Sequence, residues 1–206
     1  MAVVVVAHGG RSVSTDPATA YDPAVLRMIP LAEAVKRALR GSAVVRRPRF
    51  QVRGWNGPAA SPVPDLTETL DRLAGGLGPV VLVGHSMGGR AVVRAAGHPA
   101  VVAVAGLAPW LPPGEPIGQL AGRRVLLVHG TGDRVTRAAE TWAYADQARA
   151  VTQMATIEVR GTEHAMLRRA RLWHRLAADF ARVSLGLPPT GDEVTRAFAD
   201  GQRLVL

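Results

Sequence analysis

Long apolar runs recur along the chain, each closed by a glycine-rich or polar turn and followed by a segment of helical periodicity. Val3-Val4-Val5-Val6-Ala7, Val80 to Val83, Val101 to Leu107, Arg124 to His129 and Met154 to Arg160 are the clearest. Such runs, rich in β-branched residues and without alternation, suit strands covered on both faces, as in a parallel sheet. Ala43-Val44-Val45 with Arg46 to Val52 contains a further strand, and its partial alternation suits a more exposed edge position. Between these runs lie helix-like segments over Pro23 to Arg40, about Asp65 to Leu77, Arg90 to Ala96 and Arg137 to Ala150. Pro30 is expected to kink the first, and Gly41 to stop it. The last helix is expected to begin near His164, with Met166, Ala170, Trp173, Ala177, Phe180 and Val183 forming one apolar face. Strands alternating with helices predict a three-layer α/β sandwich around a mostly parallel, about six-stranded sheet. The reading is one domain over 1–187, with 188–206 as a tail or short docked helix.

Right-handed crossovers would put the carboxyl ends of all these strands on one rim. His8-Gly9-Gly10, Ser86, Trp110, Asp133 and His164 each lie just beyond a strand end, so residues scattered over the chain converge where open α/β sheets bind ligands.

Composition narrows the class. With 48% hydrophobic and 20% charged residues among 206, the chain is of ordinary soluble, globular type. Val3 to Ala7 is too short for a signal-peptide core or a membrane span, so no membrane association is expected. Cysteine is absent, which excludes a disulfide framework and a thiolate metal site and makes the cytoplasm the default location. The formal charge of +9 raises a nucleic-acid reading. Arginines cluster around Lys36 to Arg53 and again from Arg168 to Arg175, but no nucleic-acid-binding pattern or aromatic stacking array accompanies them. A solvated, arginine-rich surface is the reading, with no nucleic-acid partner expected and an anionic substrate or partner left open.

Gly84-His85-Ser86-Met87-Gly88 follows an apolar strand and precedes a helix, the context in which G-x-S-x-G acts as a nucleophile elbow. Gly84 and Gly88, lacking Cβ atoms, permit the sharp turn that lifts the Ser86 hydroxyl clear of the sheet. A serine needs a base, and of six histidines His164 follows the sixth strand where its ring can reach Ser86. The base needs an acceptor to fix its tautomer, and Asp133 follows the fifth strand. His85, His98, His129 and His174 are read as turn, packing or helix residues. His8 and Arg11, in the first loop, and Trp55 and Trp110, after strand ends, are candidate walls of a substrate pocket, with core or loop packing the rival role for each tryptophan.

On His8-Gly9-Gly10, Gly84-His85-Ser86-Met87-Gly88-Gly89, Gly132-Asp133-Arg134-Val135-Thr136 and Glu163-His164, the chain resembles an α/β-hydrolase from Val3 to about Val183. The resemblance implies Ser86 as nucleophile, His164 as base and Asp133 as acid. It also implies an oxyanion hole from the backbone N–H of Met87 and of Gly10 or Gly9. Two departures stand out: two leading strands of the usual eight are missing, and Ala108 to Gln119 replaces the usual lid. The expected activity is that of a small serine hydrolase on a carboxylic ester or thioester, with no metal or organic cofactor. Rivals are acyl transfer or thioester release in a biosynthetic pathway, cyclase or lyase chemistry, and a non-catalytic binding protein on the same scaffold. Substrate identity and oligomeric state are not legible.

Overall fold

The structure, a computed structural model, describes residues 1–74 and 78–206. Seven strands form one wholly parallel sheet: β1 (Ala2–Ala7), β2 (Ala43–Arg46), β3 (Val80–His85), β4 (Val101–Leu107), β5 (Arg124–Gly130), β6 (Gln153–Val159) and β7 (Arg203–Val205), in the order β2-β1-β3-β4-β5-β6-β7. The helices are α1 (Pro23–Leu26), α2 (Met28–Leu39), α3 (Pro62–Ala74), α4 (Met87–Arg94), α5 (Ala138–Ala148), α6 (Ala170–Ser184) and α7 (Glu193–Asp200).

The unbroken apolar runs have a simple cause. Successive side chains of a strand point to opposite faces, and here both faces are covered. Val4, Val6, Val81, Val83, Leu126, Val128 and Ile157 pack with α2, α6 and α7 in one core. Val3, Val5, Leu82, Val104, Val125 and Leu127 pack with α3, α4 and α5 in the other. The result is the expected three-layer sandwich.

Strand order places the site. From β1 the chain runs outward to the edge strand β2, then crosses back past β1 to β3 and continues away in the opposite direction. The order therefore reverses between β1 and β3, whose carboxyl ends carry His8-Gly9-Gly10 and Ser86. A crevice at such a reversal is where doubly wound sheets bind ligands.

Three differences from expectation bear on the fold, and one expected boundary lies outside the described residues. The first helical segment breaks at Arg27 and not at Pro30, which falls in the first turn of α2. A first-turn N–H has no intrahelical partner, so proline is tolerated there. The last helix begins at Ala170, six residues after His164. Glu163 accepts the N–H groups of Leu167 and Arg168 at 2.7 and 3.1 Å, and Met166 and Arg169 adopt left-handed conformations that keep this stretch a turn. The expected end of the α3 segment, Leu77, lies outside the described residues. Finally, a seventh strand joins the six. Residues 188–206 carry α7 and β7, and Arg203, Leu204 and Val205 pair with Thr156, Ile157 and Glu158. The buried carboxylate of Asp179 holds the approach to α7, accepting from the Thr190 N–H, the Thr190 hydroxyl and the Gly191 N–H at 2.7 to 3.0 Å.

Candidate active site

Ser86 sits between β3 and α4 with φ 57° and ψ −120°, conformational space that a residue bearing a Cβ seldom occupies. Holding a residue there costs about 1–3 kcal/mol and requires surroundings that enforce it. Close packing supplies them. A Cβ on Gly84 would collide with the Gly88 backbone, and one on Gly88 with the carbonyl oxygens of Ala7 and His8. The elbow is thus wedged against the end of β1, and the Ser86 N–H is tied to the Leu107 carbonyl at 3.1 Å.

Three side chains from three strand ends meet here. His164 Nε2 lies 2.9 Å from Ser86 Oγ, and His164 Nδ1 lies 2.7 Å from Asp133 Oδ2. With Nδ1–H donating to the carboxylate, Nε2 is left to accept the serine proton. The Asp133 side chain is fully buried. Its Oδ1 accepts the Val135 and Thr136 N–H groups at 2.8 and 3.0 Å. Burial pushes this carboxyl up, but hydrogen bonds from His129, His164 and those two amides outweigh it and hold Asp133 well below the usual carboxylate range. It is therefore an anion at any pH near neutral.

Two histidines assigned from sequence to turn or packing roles touch this arrangement directly. His129, with no exposed surface, places Nε2 3.1 Å from Asp133 Oδ2 and Nδ1 2.8 Å from Thr141 Oγ1. If the Thr141 hydroxyl donates to Nδ1, His129 is the tautomer that donates to the carboxylate. Thr136 Oγ1 donates to the same Oδ2 at 2.9 Å. His85, buried inside the elbow, lies with Nε2 2.8 Å from the His164 carbonyl oxygen, and the two rings are 4.8 Å apart. Burial, and secondarily the neighbouring His164, pushes the His85 imidazole down to about 3, so it stays neutral and donates Nε2–H. The only sequence signal for His129 is its place four residues before Asp133; for His85 there was none beyond adjacency to Ser86.

The remaining predicted residues divide. Met87 opens α4 directly behind Ser86, and its N–H, as a first-turn donor, has no partner inside the helix. A Cβ on Gly9 would stand 3.2 Å from Ser86 Cβ, and Gly10 is packed against the Met87 side chain and the Arg53 carbonyl. The first loop therefore lies over the elbow. His8 is 3% exposed and uses both ring nitrogens: Nδ1 donates to the Gly9 carbonyl at 2.7 Å, and Nε2 accepts the Phe50 N–H at 3.1 Å. With Arg11, it lines a groove beside Gly9 and Gly10.

Trp55, for which pocket wall and packing were both open, is 2% exposed and packs in the core. The Arg90 guanidinium lies 3.9 Å from its ring and 4.5 Å from that of Trp110, and Arg90 and Arg94 both pair with buried Glu115. This cation–aromatic cluster pins the segment after β4 onto the elbow helix. Trp110 is half-buried. That segment holds no added helical lid, only a single short turn at Gly118–Leu120. Among the described residues, no group of three or more His, Cys, Asp or Glu side chains is arranged to hold a metal ion, and no helix is long and apolar enough to cross a membrane.

Known folds match this architecture. A lidless serine hydrolase from Xanthomonas campestris superposes with a TM-score of 0.65 at 17% identity, over 92% of this chain and 84% of that one. Est1E from Butyrivibrio proteoclasticus gives 0.63 at 16% identity, over 89% and 88%. A serine hydrolase homologue from Coxiella burnetii gives 0.64 at 17% identity, over 85% and 83%. At these identities the likeness is one of fold. No curated protein sequence matches the chain. The sequence profile of the alpha/beta hydrolase family matches residues 4–205, nearly the whole chain, and the protein belongs to that family.

Proposed function

We propose that the protein is a serine hydrolase that cleaves a carboxylic ester or thioester through an acyl-enzyme. Family membership supports hydrolysis in general. The observation that carries the finer reading is the continuous run of hydrogen bonds Ser86 Oγ–His164 Nε2 and His164 Nδ1–Asp133 Oδ2, at 2.9 and 2.7 Å.

In this reading the Ser86 hydroxyl attacks the carbonyl carbon while its proton passes to His164 Nε2. Asp133 stabilises the imidazolium and keeps the ring oriented, without itself taking the proton. Negative charge developing on the carbonyl oxygen falls to the Met87 N–H and to the Gly10 or Gly9 N–H, donors fixed before the reaction begins. His164 then gives its proton to the departing alcohol or thiol, which leaves the acyl group on Ser86. A water molecule, deprotonated by the same histidine, releases the acid and restores the hydroxyl. A neutral His85 suits this cycle, since a second positive charge 4.8 Å from the imidazolium would oppose its formation. No step requires a metal or an organic cofactor, and a cytoplasmic enzyme acting on a small molecule is the setting we infer.

The test is hydrolysis of p-nitrophenyl esters and acyl-thioesters of increasing chain length by wild type and Ser86→Ala. Wild type turns over at least one series, and the variant falls to the background rate. Equal rates in the two proteins would contradict the reading.

A further inference from the structure

A cavity of about 300 Å³ opens beside the His8-Gly9-Gly10 loop, and the proposed reaction leaves it unassigned. That volume is at the small end of ligand sites. Ala18, Pro23 and Val25 give it an apolar side, and it also carries Arg11, Arg27 and Arg53 against one acid, Asp22. The acid is already spent: Asp22 Oδ1 lies 2.9 Å from Arg53 Nη2, and Asp22 Oδ2 lies 3.1 Å from Arg53 Nε. Arg11 and Arg27 have no carboxylate partner within 4 Å among the described residues. Arg27 is half-buried at the junction of α1 and α2, and its charge is felt at His85 inside the elbow. A partly desolvated guanidinium facing a cavity with no counter-ion is stabilised by whatever anion enters. Because Gly9 and Gly10 line this cavity and also pack over Ser86 and Met87, a molecule seated in it lies next to the elbow.

We propose that this groove binds a carboxylate carried by the substrate, held by Arg27 with Arg11 at the rim, so that the enzyme prefers anionic esters or thioesters to neutral ones. The proposal rests on Ser86 being the nucleophile. The carboxylate could sit on the acyl chain or on the alcohol, and two substrate pairs separate these. Glutaryl and butyryl thioesters of N-acetylcysteamine differ by a carboxylate on the acyl side. The butyrate esters of glycolate and of ethanol differ by one on the alcohol side.

In one of the two pairs, wild type is expected to favour the anionic member by about tenfold or more in kcat/KM, chiefly through KM, as one charge-assisted hydrogen bond allows. Arg27→Met should lower that ratio by about tenfold and Arg11→Met by less, with Arg27→Lys recovering part. Arg196→Met, an exposed site on α7 that removes the same charge, should leave the ratio as it is. Titration of glutarate into Ser86→Ala protein reads the groove without turnover, and binding should be lost when Arg27→Met is added. A wild type that hydrolyses both members of each pair equally would overturn the anion site and leave the serine-hydrolase reading standing. An equal drop in ratio for Arg196→Met would replace the site by a diffuse field. Glutarate binding that depends on Arg27 in a protein that hydrolyses nothing would keep the site and sink the hydrolase reading.

Discussion

At the residue scale, Asp133 and the side chains that aim at it carry the most consequence. Its Oδ2 receives His164, His129 and Thr136 together, and its Oδ1 receives two amides. Replacing Asp133 with Asn keeps the shape but offers a donor where His164 needs an acceptor. The ring then takes the wrong tautomer, and kcat should fall on the order of 10⁴-fold with the fold retained. Circular dichroism alongside ester turnover checks this, and an unaffected rate would remove Asp133 from the proposed chemistry. His129 is a positioning residue in the same account. His129→Phe keeps a ring but deletes the donor to the carboxylate, so kcat should drop about tenfold with KM unchanged. His129→Gln, whose amide can donate, should recover part of the loss. A change confined to KM, or no recovery with Gln, would leave His129 a packing residue. The three principal residues were legible because each stands just beyond an apolar run and the chemistry asks for those residue types. His129 was not, because its role depends on how a turn folds its ring toward Asp133, which spacing alone does not reveal.

At the scale of elements, the elbow works only if β3, α4 and the end of β1 approach more closely than side chains allow. Gly84 and Gly88 are both this tight, and at Gly88 the Ala7 and His8 carbonyls occupy the space of its missing Cβ. Gly88→Ala is expected to cost about 1–3 kcal/mol of stability, as overpacking does. It should also lower kcat, because the first loop is pushed off Ser86. Urea unfolding and ester turnover measure the two effects, and wild-type values for both would mean that the elbow has slack. The strand–turn–helix itself was plain in the sequence because valine runs and glycines punctuate it strongly. The start of α6 was not. Met166 continues the apolar spacing of the helix, yet it is buried from within a turn capped by Glu163. β7 was missed because three residues, Arg203 to Val205, are too few to establish a period.

Across the whole molecule, strand order converts local motifs into a site, and this order cannot be read from periodicity. The runs indicate parallel strands, but the reversal between β1 and β3 emerges only from the pairing. Buried histidines also make the whole fold sensitive to acid. His85 is pushed from an ordinary 6.5 down to about 3, chiefly by burial. His8 and His174 are lowered in the same direction, again chiefly by burial. Between about 3 and 6.5 the unfolded chain binds a proton that folded His85 refuses. The His85 contribution to stability is therefore complete above about pH 6.5 and declines as pH falls below it, by up to about 1.4 kcal/mol per pH unit, with His8 and His174 acting in the same direction. Asp133 acts lower: its depressed folded value means its contribution is lost only below the ordinary carboxylate range. The melting temperature should accordingly fall between pH 7 and pH 4.5, and fall less in His85→Asn. A flat profile in wild type would contradict the buried, neutral state of His85.

Everything proposed for the site turns on Ser86 being a nucleophile. That role is tested most directly by incubating wild type and Ser86→Ala with a fluorophosphonate probe and mapping any adduct by peptide mass spectrometry. One adduct per wild-type chain is expected, on the peptide containing Ser86, and none in the variant. No adduct on wild type, or an adduct that persists in Ser86→Ala, would contradict it.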